Sequence, residues 1–143
     1  MAETGSSGSS ITASVDRTGL YGNVTDGLAV NGFGGGTIDV AVTDSVAANN
    51  GVGFEALPGT ASNSVNLLLT HSSVIGNTLG LKVSSSGAGL APNAMLWLAQ
   101  TTLTGNVSSY TINGNAIIYS FGDNYFAAAK SGNTGTLTTV SRQ

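Results

Sequence analysis

The sequence predicts an all-β fold, a single-stranded right-handed parallel β-helix (solenoid) of about five coils. Three observations lead there. An apolar residue, two spacers and an asparagine recur as Leu20-Tyr-Gly-Asn23, Val46-Ala-Ala-Asn49, Val74-Ile-Gly-Asn77, Leu103-Thr-Gly-Asn106 and Phe121-Gly-Asp-Asn124, at intervals of 26, 28, 29 and 18 residues. Short runs of strand-forming residues flank each copy. The chain also carries 21 glycines against 2 prolines, which implies frequent tight turns and short strands.

Residues 1–10 are rich in Gly and Ser, offer nothing to bury, and are assigned as a flexible linker or leader; the solenoid spans residues 11–143. Before the asparagines lie the apolar runs Thr37–Val42, Val65–Leu69, Ala94–Leu98 and Ala116–Tyr119; after them come Gly27–Val30, Gly51–Phe54, Gly80–Val83 and Tyr110–Ile112. A unit of three such strands cannot bury an apolar face alone. Stacked copies can, each strand pairing with its equivalent one coil along. Stacking also explains the asparagines. A buried turn leaves backbone groups in need of partners, and a column of carboxamides bonds both to them and to one another. Asn23, Asn49, Asn77, Asn106 and Asn124 are accordingly assigned as one structural ladder. The segment Thr134–Val140 is assigned as a C-terminal cap, within 134–143, whereas nothing before Ile11 reads as a cap.

Composition narrows the function. Charged residues make up 8% of the 143-residue chain, and the four basic ones, Arg17, Lys82, Lys130 and Arg142, are too dispersed to neutralise a run of phosphates. Nucleic acid is therefore not an expected partner. No apolar run is long enough for a membrane-spanning helix. The absence of cysteine excludes a thiolate metal site.

The segments Val40–Gly51, Ser73–Asn77 and Asn113–Asn124 resemble the right-handed parallel β-helix repeat proteins of bacteria, the group with the pectin-lyase-like fold. That resemblance covers about residues 11–143. It implies a secreted or cell-surface location and, because members of the group usually have more coils, a C-terminal portion of a longer solenoid. Its members range from polysaccharide lyases and hydrolases to tailspikes and adhesins, so the fold alone selects no activity.

Aligning coils on the asparagines places Asp16 and Arg17, Asp44, His71 and Gln100 in one outward column. Asp44 beside His71 is the pair with catalytic potential, as an acid and a base. Yet an Asp and a His on a polar turn more commonly make a surface hydrogen bond, and the clustered Asp or the Lys and Arg of the group's enzymes have no counterpart here. Glu55 and Lys82 are expected to form a surface ion pair across adjacent coils. Gly32-Phe-Gly-Gly-Gly36 reads as a loop between coils, since neither a lysine nor a helix follows to make a phosphate cradle. No cofactor or metal is expected.

The apolar pattern is more informative. If Leu67, Leu69, Leu96 and Leu98 point inward, Leu68, Met95 and Trp97 point outward as a stripe, with Ala41 and Ile118 in the flanking rungs. The covering element would be a second copy of the chain, a missing segment of the parent protein, a loop such as Ser84–Pro92, or a sugar ring stacked on Trp97. The resulting expectation is a non-catalytic scaffold or interaction domain. Its alternatives are a lyase- or hydrolase-like domain acting on acidic polysaccharide, and a polysaccharide-binding or tailspike-like oligomeric module. Self-association is expected through the stripe or through an uncapped N-terminal coil.

Overall fold

A computed structural model describes residues 8–86, 92–127 and 132–141. The chain is a parallel β-solenoid. Its first coil comprises β1 (Ser10–Asp16), β2 (Gly19–Tyr21) and β3 (Asp26–Gly32), and its second β4 (Gly36–Thr43), β5 (Val46–Ala48) and β6 (Val52–Pro58). The third comprises β7 (Asn63–Thr70), β8 (Ser73–Ile75) and β9 (Leu79–Ser84), and the fourth β10 (Ala94–Ala99), β11 (Thr102–Thr104) and β12 (Ser108–Asn113). After β13 (Ile117–Phe121) and β14 (Tyr125–Phe126), the chain ends its described course with β15 (Thr138–Val140).

Three sheets result. Sheet A has the order β1-β4-β7-β10-β13-β15, sheet B β14-β11-β8-β5-β2, and sheet C β12-β9-β6-β3, with every named pair parallel. The expected five coils are thus about four turns. The difference lies in the last asparagine motif, which follows β13 and precedes β14 but is followed by no described strand in sheet C. β1 begins at Ser10, and the Ser9 carbonyl already accepts from the Thr37 N–H, so the ordered rung reaches into the segment assigned as a leader. At the other end β15 pairs with β13 and Thr134 bridges Thr111.

The core follows from alternation along each strand. On sheet A, Ala13, Val40, Leu67, Leu96 and Ile118 form one inward column, and Val15, Val42, Leu69 and Leu98 the next. Sheet B contributes Leu20, Ala47, Val74, Leu103 and Phe126; sheet C contributes Leu28, Phe54, Leu81 and Tyr110. Like meets like down the axis, so each side chain is buried mainly by its own equivalents one rung away.

Candidate functional site

The asparagines at the corner between sheets B and C form a file of Asn23, Asn50, Asn77 and Asn106. The backbone N–H and Nδ2 of Asn50 both donate to Asn77 Oδ1, at 2.9 and 3.0 Å, and those of Asn77 both donate to Asn106 Oδ1, at 2.9 and 3.0 Å. Asn23 makes the same pair of bonds to Asn50 Oδ1. The remaining Nδ2 hydrogens run the other way, from Asn50 to the Leu20 carbonyl, from Asn77 to that of Ala47 and from Asn106 to that of Val74. Every polar atom of a fully buried carboxamide therefore has a partner, as burial demands.

Two of the expected ladder members stand elsewhere. Asn49 is exposed and holds φ 58°, the position taken by Gly22, Gly76 and Gly105 in the other coils. Its neighbour Asn50 carries the ladder because both steps from it, to Asn23 and to Asn77, are 27 residues. Asn124 belongs to a second file. Thr18, Ser45, Ser72 and Thr101 line the corner between sheets A and B, where Ser45 Oγ accepts from the Thr18 N–H and Ser72 Oγ from the Ser45 N–H. Asn124 closes that file, its Oδ1 accepting from the Thr101 N–H at 2.8 Å and its Nδ2 donating to the Leu98 carbonyl. Glycine is required beside the carboxamides: a Cβ on Gly53 would sit 2.6 Å from the Gly80 carbonyl oxygen and 3.1 Å from Asn77 Nδ2.

Arg17, Asp44, His71 and Gln100 do form one column, and they share a cause. Each sits at the corner next to the hydroxyl file with φ between 46° and 50°, the left-handed region, so that the chain can turn from sheet A into sheet B. Asp44 and His71 are exposed, and neither a hydrogen bond nor an ion pair joins them. Aspartate is among the residues that tolerate this conformation best, so the turn accounts for its presence at Asp44.

On the outer face of sheet A the structure brings together Leu68, Met95 and Trp97, and adds residues that the sequence left out. Ile118 points into the core, fully buried, so Ile117, Tyr119 and Phe121 take the outward positions. Trp97 pairs in register with Leu68 on one side and Tyr119 on the other. Its ring stacks on that of Tyr119 at 4.0 Å and 19°, and Phe121 lies 6.2 Å away. On the Leu68 side the column shrinks to Ala41 and Ser14. That step in size leaves a shallow depression of about 220 Å³ bordered by Trp97, Leu68, Ala41, Asp39, Asn66 and Thr12. Asn66 Nδ2 donates to Asp39 Oδ1 there at 2.7 Å. Most of the Ser84–Pro92 segment, a candidate cover for the stripe, lies outside the described residues.

Sheet C carries the chief charge cluster. Glu55 and Lys82 are register partners joined at 2.8 Å, with Glu55 almost wholly buried. Burial, then the neighbouring Glu55 carboxylate and a hydrogen bond with it, holds Asp26 above the ordinary aspartate value, while Lys82 opposes the shift. A raised folded-state pKa means the native protein binds the proton more tightly than the unfolded chain, so stability falls as pH rises through that window. Asp26→Asn is therefore expected to raise the melting temperature at pH 7, with the gain vanishing as the pH is lowered into the range where Asp26 is protonated. Thermal unfolding of both proteins from pH 3 to 8 measures it, and a gain that grows on acidification contradicts it.

Among the described residues, no group of three or more His, Cys, Asp or Glu side chains is arranged to hold a metal ion. No described helix is long and apolar enough to cross a membrane. Compared with family models, curated proteins and solved structures, the chain matches none.

Proposed function

We propose that the protein is a non-catalytic β-solenoid scaffold that engages a partner through the outer face of sheet A. The observation that carries this reading is the contiguous apolar column Leu68, Trp97 and Tyr119, flanked by Met95, Ile117 and Phe121, on the solvent side of a sheet whose inner side already fills the core. The polar side chains repeated from coil to coil hold the coils together, whereas the apolar column on this side of the rod has no such role and is free to meet a partner. The reading takes the chain as a relative of the bacterial pectin-lyase-like β-helices, secreted or displayed at the cell surface. Its test is depolymerisation of polygalacturonate and of neutral glucans, with and without Ca²⁺. No turnover is expected, and turnover that disappears in Asp44→Ala or His71→Ala overturns the proposal in favour of an enzyme.

A second reading, polysaccharide binding, is favoured by the depression beside Trp97, where an indole edge, Leu68 and the hydrogen-bonded Asp39 and Asn66 side chains offer apolar contact and acceptors together. With Asp39 as its charged group, the depression suits neutral glycans better than polyuronates. Trp97 is the single tryptophan, so its fluorescence reports the site directly. Neutral oligosaccharides are expected to shift its emission and polygalacturonate to leave it unchanged. In Trp97→Ala, glycan affinity by calorimetry is expected to fall at least about tenfold, and loss of the ring stacking adds about 0.5–1.5 kcal/mol to the stability lost with the buried part of the indole. Unchanged affinity in that variant rejects this reading.

A further inference from the structure

The N-terminal end of the solenoid points to a second and independent interface. Among the described residues β1, β2 and β3 are each the last strand of their sheet, so one whole rung presents unpaired edges. Over it lie Ile11, Ala13, Val15, Leu20 and Leu28, which pack against the core but are only partly buried. Such an edge is a template for another strand.

The sequence of β1 says which strand fits. The Ser9 carbonyl accepts from the Thr37 N–H and the Arg17 N–H donates to the Thr43 carbonyl, so the odd-numbered residues direct their backbone groups at β4. By alternation, Ser10, Thr12, Ser14 and Asp16 direct theirs into the open edge. β1 reads Ser-Ile-Thr-Ala-Ser-Val-Asp, and about Ala13 it is nearly palindromic. Antiparallel pairing of two copies about that residue sets Ile11 against Val15, Thr12 against Ser14 and Ser10 against Asp16. Inward side chains then meet inward side chains and hydroxyls meet hydroxyls. The edge-facing residues meet one another as the hydrogen-bonded pairs, and no two like charges are opposed.

The first asparagine completes the match. Within the file each Oδ1 accepts two bonds from the preceding coil and each Nδ2 returns one to that coil, but Asn23 donates only to Asn50, so its Oδ1 and one Nδ2 hydrogen have no partner among the described residues. Asn23 lies in the corner between β2 and β3, across the coil from β1. A two-fold axis through Ala13 and that corner brings the two Asn23 carboxamides together, each able to donate to the other.

We propose that two copies of this chain associate head to head through their first coils, joined by antiparallel β1 strands in the register centred on Ala13. The interface is isologous and closes on itself, which is the commonest symmetry of soluble oligomers. A coil of 27 residues also supplies the 20 to 30 residues a side of a standard protein interface. The proposal does not rest on the outer face of sheet A.

Sedimentation across a concentration series tests it, with twice the protomer mass expected at high concentration. Thr12→Pro removes an edge-facing N–H that no bond among the described residues uses, and is expected to give a folded monomer by far-ultraviolet dichroism. Ser10→Asp places a carboxylate opposite Asp16 of the other copy and Ser10→Lys an ammonium; dimerisation is expected to weaken in the first and tighten in the second, each at least about threefold. Because the chain has no cysteine, Ala13→Cys is expected to give a covalent dimer on oxidation, the facing Cα atoms of such a non-hydrogen-bonded pair lying about 4.5 Å apart. Trp97→Ala is expected to leave the dimer intact, which separates this interface from the one on sheet A. A wild-type protein that stays monomeric, mass that grows without limit, or Ala13→Cys chains that do not cross-link overturns the proposal.

Discussion

Asn77→Ala is expected to destabilise the protein by about 3–5 kcal/mol, since several buried polar groups lose their partners at about 1–3 kcal/mol each. The Asn77 carboxamide accepts from both the N–H and Nδ2 of Asn50 and donates to the Ala47 carbonyl, and all of these sites are shielded from water. Asn106 Oδ1 keeps the bond from the backbone N–H of residue 77 but loses the one from Nδ2. Urea unfolding followed by circular dichroism measures the loss. Asn49→Ala is the control: an exposed residue with φ 58° puts at stake only the left-handed backbone preference, about 1–2 kcal/mol. Equal losses in the two variants contradict the placement of the ladder on Asn50 rather than Asn49.

A loss of similar size, about 3–5 kcal/mol, is expected for Phe54→Ala, from the lost transfer energy of the ring and the cavity left behind. Phe54 is the largest fully buried side chain, inward on sheet C between Leu28 and Leu81. Parallel strands above and below hold the backbone at fixed spacing, so neighbouring coils have little room to close over the gap. Phe54→Leu, which retains most of the apolar volume, is expected to recover over half of the loss. Thermal and urea denaturation together check both values, and a loss below about 1.5 kcal/mol in Phe54→Ala shows that the coils collapse after all.

The sheets were legible because strand alternation and a loose asparagine repeat point to the same architecture. The register was less so, for a specific reason. Val46-Ala-Ala-Asn-Asn50 offers two asparagines, and the left-handed position of the coil, glycine in the other coils, also tolerates asparagine. Phe121-Gly-Asp-Asn124 imitates the motif one corner too early and ends the hydroxyl file instead. That file had its own signal: Thr18, Ser45, Ser72 and Thr101 each stand five residues before a ladder asparagine. On sheet A, the inward leucines correctly sent Leu68, Met95 and Trp97 outward, but the doublet Ile117 and Ile118 fits either phase of alternation. Only the pairing of Trp97 with Tyr119 decides it, and with it the aromatic stack that extends the stripe. The pairing of Glu55 with Lys82 was visible from spacing, whereas the closeness of Asp26 to that pair depends on how sheet C is laid out.

The two files divide the coil into a rigid part and a permissive one. From the left-handed residue at the corner of sheets A and B to the ladder asparagine is always six residues, in Arg17 to Asn23, Asp44 to Asn50, His71 to Asn77 and Gln100 to Asn106. From that asparagine onward to the next left-handed residue the count is 21, 21 and then 23. The two extra residues of the last count fall between Val83 and Ala94, at the return from sheet C to sheet A, since the step from Ala56 to Val83 is 27 residues and that from Val65 to Ala94 is 29, and this bend borders the aromatic face. Evolution or an engineer can lengthen that bend to drape new sequence over Trp97 and its neighbours while the rest of the rod keeps its count.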